Sequence, residues 1–183
     1  MVKKALITGI TGMVGSHLAD FLIENTNIEV HGLCRWRSPT DNIEHLIDRA
    51  NKKDRLVFHY GDITDYISLE NIFNSNSFDY VFHLAAQSFP KTSFFSPNDT
   101  YITNIIGTQN ILQAIRKQKK TNPWIHVCSS SEVFGRVSKD KVPINEECSF
   151  HPASPYAISK VGTDLIARFH AEAYGQNIIP TRM

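Results

Sequence analysis

Tyr156 and Lys160 stand four residues apart, the spacing that places two side chains on one face of a helix. An ammonium beside a phenol favours phenolate. It lowers tyrosine from its usual pKa of about 10 towards the range where a phenol exchanges protons at neutral pH. Chance supplies about 0.36 Tyr-x-x-x-Lys pairs in a chain of this composition, so the pair alone reads equally well as a helix-surface contact. Ser129-Ser130-Ser131 sharpens the reading, because these serines follow an apolar run that reads as a strand. A hydroxyl there can donate to the same substrate oxygen that Tyr156 protonates or deprotonates. Turn-capping serines are the alternative.

Gly9-Ile10-Thr11-Gly12-Met13-Val14-Gly15 has the spacing G-x-x-G-x-x-G, after one apolar run and before an amphipathic one. Glycine permits the tight turn and lets a pyrophosphate approach backbone N–H groups, while the helix N-terminus favours the anion. A plain strand–turn–helix connection is the competing reading. Dinucleotide-binding turns of this kind place an acid about 20 residues later, on the adenosine ribose. Here that position holds Arg35, with Arg37 close by, and no Asp or Glu lies between Val30 and Arg37. A guanidinium suits a 2′-phosphate, so the expectation is NADP, with NAD second; both arginines could instead be solvated or face a partner chain. Asp62 either accepts from an adenine amino group or caps the next turn.

Stepping along the chain, the elements that must position these groups alternate between strand and helix. Strands are expected at Ala5-Leu6-Ile7, Ile28–Cys34, Leu56–Tyr60, Tyr80–Ala85, Trp124–Cys128 and Asn177–Arg182. Helices are expected at Val14–Glu24, Ile67–Phe73, Asn98–Lys117 and Ser154–Tyr174. The first of these has Val14, Leu18, Phe21 and Leu22 on its apolar face, and Pro155 suits the start of the last. Such alternation implies an α/β, doubly wound parallel sheet with right-handed crossovers. Ligands of these sheets bind beyond the carboxyl ends of the strands, where every motif above falls. The chain stops just after a strand, which reads as the front part of a longer protein.

A length of 183 residues suits one domain, and 42% apolar with 20% charged residues describes an ordinary globular composition. The net charge of +1 gives no electrostatic reason to expect nucleic acid or an anionic membrane. No apolar run approaches a membrane span, and the N-terminus carries no cleavage pattern. Cys34, Cys128 and Cys148 fit a reduced, cytoplasmic compartment better than a disulfide framework. The eight histidines show no metal-ligand spacing, so no metal is expected. The basic run Arg116–Lys120 reads as a solvated helix end. Ile102, Ile105, Ile106, Ile111 and Leu112 more than fill one helix face, and the surplus suggests a subunit interface.

Taken together, the glycine turn, Gly61-Asp62, Leu84-Ala85-Ala86, Asn104, the serine triplet and Tyr156/Lys160 resemble the extended short-chain dehydrogenase/reductase family over nearly the whole chain. Within it the sequence is most similar to the GDP-mannose 4,6-dehydratases. That likeness rests on Gly9-Ile10-Thr11-Gly12, Ile43-Glu44-His45-Leu46, His59-Tyr60-Gly61-Asp62, Ala86-Gln87-Ser88, Ser131-Glu132-Val133-Phe134-Gly135 and Ser154-Pro155-Tyr156. The resemblance implies a Rossmann NAD(P)-binding domain over residues 1–183, tightly held NADP, a nucleotide-sugar substrate, a homodimer or homotetramer, and a C-terminal substrate domain that this chain lacks. It also implies cofactor contacts from Gly9, Thr11, Gly12, Met13, Val14, Gly15, Arg35, Arg37, Asp62, Ile63, Leu84, Ala85, Ala86, Tyr156 and Lys160. Substrate contacts would come from Ser88, Ser130 and Glu132.

Catalysis would fall to Ser130, Glu132, Tyr156 and Lys160. Family dehydratases carry a glutamate two residues after the active-site serine or threonine, here Glu132 after Ser130. Oxidation at C4 of a hexose acidifies the C5 proton, and a carboxylate can remove it while the C6 hydroxyl leaves as water. A 4-epimerase or 4-reductase of the same family needs no such base, and a dinucleotide-binding module without turnover needs none of the set. Four positions depart from the dehydratase pattern: Met13-Val14 in the glycine turn, Trp36 beside Arg35, Phe134 in place of a frequent tyrosine, and Ala153 in place of an arginine.

Overall fold

The computed structural model describes residues 2–52 and 54–183. Six parallel strands form one sheet in the order β3-β2-β1-β4-β5-β6. They are β1 (Lys4–Thr8), β2 (Glu29–Cys34), β3 (Leu56–Tyr60), β4 (Tyr80–His83), β5 (Trp124–Cys128) and β6 (Asn177–Thr181). The register pairs Ala5 with both Val30 and Tyr80, and Thr8 with both Leu33 and His83. The order reverses at β1, between β2 and β4, so the crevice that binds ligands in doubly wound sheets opens at the end of β1.

Helices cover the two faces unequally. On one side α3 (Tyr66–Ser75), α6 (Gly107–Gln118) and α7 (Pro155–Tyr174) bury Leu69, Phe73, Ile111, Leu112 and Ala167 against Leu6, Val81, Ile125 and Val127. On the other, α1 (Met13–Asn25) and α2 (Glu44–Asn51) bury Ala19, Leu22, Ile23 and Leu46 against Ala5, Ile7, Val30 and Leu56. Truncating one of these fully buried aliphatic side chains costs about 2–5 kcal/mol.

The apolar face expected for the first helix is only partly the buried one. Leu22 is 6% exposed, but Val14 and Phe21 are 48% and 58% exposed. The true inner face is Gly15, Ser16, Ala19, Leu22 and Ile23, because small residues let α1 approach the sheet closely. Two further helical segments were not legible in the sequence pattern: Asp41–Asn51, a 3-10 turn running into α2, and α4 (Pro90–Phe95). Both are short, and short segments carry too few apolar repeats to show a period.

The long helix expected over Asn98–Lys117 is instead three segments. These are α5 (Pro97–Tyr101), a π-turn (Ile102–Ile106) and α6. The π-turn places Asn104 where its side chain clasps the loop after β4. Its Oδ1 accepts from Gln87 N at 2.7 Å, and its Nδ2 donates to Gln87 O at 3.0 Å. The same Nδ2 donates to Ser159 Oγ at 2.8 Å, so the π-turn also touches α7. π-turns are rare inside helices and lie frequently at functional sites. The strand expected over Tyr80–Ala85 ends at His83 for the same reason, since residues 84–87 belong to that bonded loop.

Candidate active site

The start of α7 is fixed locally. Ser154 accepts from Ala157 N at 3.0 Å as its N-cap, Pro155 fills the first turn, and Tyr156 N donates to Ser93 Oγ at 3.1 Å. At the far end Gly175 closes the helix at φ +65°, a conformation glycine adopts without strain. One turn into this helix, Tyr156 and Lys160 are both buried, at 8% and 5% exposure. The end of β5 lies opposite, and Ser130 begins a 3-10 turn (Ser131–Phe134) by accepting from Glu132 N at 3.2 Å.

That turn packs against α7. Burial raises the phenol above its usual pKa, the Ser130 hydroxyl works against that rise, and Cys128 and then Glu132 add to it. The expectation that Lys160 acidifies the phenol is not met in this geometry. Its ammonium donates to Cys128 O at 2.8 Å and sits 5.9 Å from the Tyr156 ring centroid. Burial lowers the lysine's own pKa. Shared helix spacing brings the two side chains to one face, but the lysine turns its ammonium to a carbonyl of the neighbouring strand, which takes one of its three donors. Ser129 locks that strand end to α7 by donating to Lys160 O at 3.3 Å. Ser131 and Glu132 are exposed at the rim.

A cleft of about 460 Å³ opens over the ends of β1–β4. Of the residues expected at a cofactor, Gly9, Thr11, Gly12, Arg35, Asp62, Ile63, Leu84, Ala85 and Ala86 line it, and so does Ser88. Met13, Val14, Gly15 and Arg37 do not: Met13 is 69% exposed, Val14 turns outward, Arg37 is exposed, and Gly15 is buried beneath the turn. Ser130, Glu132, Tyr156 and Lys160 lie outside the cleft proper, one strand further along the same rim. Asp62 performs the turn-capping role, its Oδ1 accepting from Thr64 N and Thr64 Oγ1 at 2.9 and 2.8 Å, although its residue also faces the cleft.

The three glycines of the turn have three different reasons. Gly9 sits at φ +75°, and a Cβ there would lie 2.9 Å from both the N and the Cα of Ala85. A Cβ on Gly15 would lie 2.8 Å from Ile10 Cα and closer still to the carbonyl oxygen of Gly9. Gly12, the N-cap of α1, would bring its Cβ no nearer to any protein atom than 3.3 Å, from Gly9 O. Its free side is the cleft. That cradle, open only where an anion could meet the first N–H groups of α1, fits a dinucleotide pyrophosphate.

The sequence profile of the GDP-mannose 4,6 dehydratase family matches residues 6–183. The chain belongs to this family. It is 42% identical over 177 residues to the GDP-mannose 4,6 dehydratase of Drosophila melanogaster, covering 94% of this chain and 44% of that protein. It is 41% identical to the GDP-mannose 4,6-dehydratase of Vibrio cholerae serotype O1, covering 94% of this chain and 47% of that protein. The chain therefore spans about half the length of the curated relatives it matches. The UDP-glucose 4-epimerase of Thermotoga maritima, solved with UDP-glucose, superposes with a TM-score of 0.85 at 31% identity, over 98% of this chain and 54% of that one. RMD from Pseudomonas aeruginosa, solved with NADPH, superposes at 0.78 with 26% identity, over 99% of this chain and 53% of that one.

Within this member of the dehydratase family, several cleft residues escaped the motif reading. Ser38 and Asn42 stand beside Arg35, whose Nε donates to Ser38 Oγ at 3.4 Å. Asn42 Nδ2 donates to Thr11 O at 3.0 Å, pinning the glycine turn from the α2 side. Thr103, from the π-turn, closes the opposite wall. Their only sequence signal is a polar residue in an unpatterned loop, which says nothing until the loop is folded back over the strand ends. Trp36, 79% exposed, stands outside the cleft with its ring edge-on to Tyr60 at 5.5 Å. Among the described residues no cluster of three or more His, Cys, Asp or Glu side chains could hold a metal. No helix there is long and apolar enough to cross a membrane.

Proposed function

We propose that residues 1–183 form the dinucleotide-binding domain of an NADP-dependent nucleotide-sugar 4,6-dehydratase, a lyase converting GDP-mannose to GDP-4-keto-6-deoxymannose. The observation that carries this reading is the placing of Ser130 and Glu132 on one 3-10 turn at the end of β5, packed against the helix that bears the buried Tyr156 and Lys160. A bound nicotinamide dinucleotide would accept hydride from C4 of the hexose and return it at C6. Tyr156 takes the C4 hydroxyl proton. Ser130 donates to the C4 oxygen and favours phenolate. Glu132 removes the C5 proton, acidified by the C4 ketone, and passes a proton to the C6 hydroxyl, which leaves as water; C5 then regains a proton from solvent as hydride returns to C6. Lys160, fixed on the carbonyl of Cys128, stands ready for the ribose hydroxyls of the cofactor. Gly9, Gly12 and the N-terminus of α1 hold the pyrophosphate. Arg35, with Ser38 and Asn42 beside it in the cleft, receives the 2′-phosphate and so favours NADP over NAD.

Two further readings follow from the surface. Ile106, Ile158, Leu165 and Phe169 are each about half exposed on the π-turn and α7, apolar surface that suits a homodimer. Three free cysteines suit a reducing cytoplasm.

The test is turnover of GDP-mannose in deuterated water by the protein carrying this domain. A 4-keto-6-deoxy product with deuterium at C5 supports the proposal, and Glu132→Gln should cut turnover by about 100-fold or more. An epimerase or 4-reductase would keep its rate in that variant. A protein that binds NADPH yet exchanges no hydride with any nucleotide sugar would be a binding module only.

A further inference from the structure

His83 belongs to no part of the chemistry above, yet it is 3% exposed at the end of β4, between the glycine turn and the π-turn. Its Nδ1 lies 2.9 Å from Thr8 Oγ1 and its Nε2 lies 3.0 Å from Thr108 Oγ1. Both threonines are buried as well. The direction of each bond can be worked out from its far end. Thr8 Oγ1 accepts from Leu84 N at 3.2 Å and Ala85 N at 3.1 Å. Ala85 N takes one lone pair of the hydroxyl, and Leu84 N is shared between the hydroxyl and Thr8 O at 3.3 Å, an arrangement that points the Thr8 proton at His83 Nδ1. Thr108 Oγ1 donates to Asn104 O at 2.6 Å, so it can only accept from His83, and Nε2 must carry the proton. The Thr108 bond thus selects the neutral Nε2–H tautomer, and the Thr8 bond agrees with it.

The relay joins four parts of the site. Thr8 is the last residue of β1, immediately before Gly9. Leu84 and Ala85 form the cleft wall that Gly9 packs against, at the 2.9 Å limit noted for its missing Cβ. Asn104 O accepts a second bond, from Thr163 Oγ1 of α7 at 2.9 Å. With its proton drawn to Nδ1, the Thr8 hydroxyl turns its lone pairs to the Ala85 amide and the shared Leu84 amide.

We propose that His83, as its Nε2–H tautomer, is a positioning residue that ties the Leu84–Ala85 wall of the dinucleotide cleft to the π-turn and, through Asn104, to the helix bearing Tyr156 and Lys160. The part of this claim that concerns cofactor affinity rests on the function proposed above. The part that concerns the wall does not. Phenylalanine fills the imidazole's space but leaves the Thr8 hydroxyl without an acceptor and Thr108 without a donor. Glutamine can accept and donate at nearly the same places.

Four measurements on His83→Phe, His83→Gln and the unmodified chain decide the matter: NADPH titration, amide hydrogen exchange at Leu84 and Ala85, thermal midpoint, and nitrogen-15 NMR of the imidazole. His83→Phe should weaken NADPH binding at least tenfold and speed exchange at Ala85 at least tenfold. His83→Gln should restore most of both, and the imidazole should show a protonated Nε2. If both variants lose thermal stability while binding NADPH and protecting Ala85 as the unmodified chain does, His83 is a packing residue and the proposal fails. A protonated Nδ1 would reverse the relay and overturn it too. Should the unmodified chain bind neither NADPH nor NADH, the cofactor assignment fails on its own, and exchange at Ala85 with the tautomer still decides whether the relay positions the wall.

Discussion

Gly12→Ala and Gly15→Ala differ by three residues and should fail in opposite ways. Gly12 lies at φ −81° and ψ 166°, where any residue is comfortable. Its added Cβ would approach protein no closer than 3.3 Å, at Gly9 O. Alanine there gains about 0.4–1 kcal/mol by restricting the unfolded chain and loses a similar amount as a poorer N-cap. The two effects offset, so the thermal midpoint should move by no more than about 2–4 °C, the shift that 1 kcal/mol gives in a domain of this size.

Gly15 is buried, and a Cβ there would sit 2.8 Å from Ile10 Cα and closer to Gly9 O. Both neighbours are backbone, which cannot rotate away. Overpacking of that kind costs about 1–3 kcal/mol, or about 2–12 °C in midpoint. Binding should sort the other way. The methyl of Gly12→Ala enters the space reserved for a pyrophosphate, so NADPH affinity should fall at least tenfold in a protein of unchanged stability. Thermal unfolding and fluorescence titration with NADPH measure the two effects separately. Gly12→Ala that binds NADPH normally would refute the placement of the anion at this turn. Gly15→Ala with an unchanged midpoint would refute the packing argument.

Other perturbations read other parts of the molecule. Arg35→Ala should weaken NADPH at least tenfold more than NADH; equal losses would show that the guanidinium does not meet a 2′-phosphate. Asp164 is fully buried and is shared by Arg182, at 2.9 Å, and Arg168, at 2.7 Å. Arg182→Met leaves that carboxylate half-compensated, at a cost of about 3–5 kcal/mol, so the midpoint should drop by about 6–20 °C; a drop under 2 °C would contradict it. Burial lowers the pKa of His31, His83, His126 and His170, takes His59 down to about 4, and takes His83 to about 3. Folded pKa values below unfolded ones mean that the unfolded chain binds more protons. Stability is then complete above about pH 6.5 and falls as the pH drops towards 4. His83 alone should cost about 1 kcal/mol between pH 7.5 and pH 5.5, a midpoint loss of about 2–4 °C. A midpoint that rises on acidification over that range would contradict the assignment.

The doubly wound sheet was legible because its strands are short apolar runs separated by amphipathic ones, and β3 and β5 fall on the very residues expected. The motifs were legible because each depends on neighbours close in sequence. G-x-x-G-x-x-G is a turn, Tyr-x-x-x-Lys is one helical turn, and Ser130 with Glu132 spans two residues. Local chemistry of this sort depends on backbone geometry that a few residues determine by themselves.

What periodicity missed depends on contacts between distant segments. The buried face of α1 departs from its apolar periodicity because small residues, not large ones, mark the side that approaches the sheet. The break at Ile102–Ile106 arises from the bonds of Asn104 to Gln87 and to Ser159, residues 17 and 55 positions away. The relation between Tyr156 and Lys160 was half legible: their spacing shares a face, but the carbonyl of Cys128, 32 residues upstream, captures the ammonium.

By itself, then, the sequence determined which groups are present, their order, and the strand ends that carry them, since turns and helix faces are set over a few bonds. Only the tertiary structure decided which of those groups touch. Arg35 enters the cleft and Arg37 does not, the Lys160 ammonium goes to the carbonyl of Cys128, and His83 lies between the hydroxyls of two buried threonines. Burial and hydrogen-bond direction are properties of the packed whole, because each depends on which remote atom has displaced water.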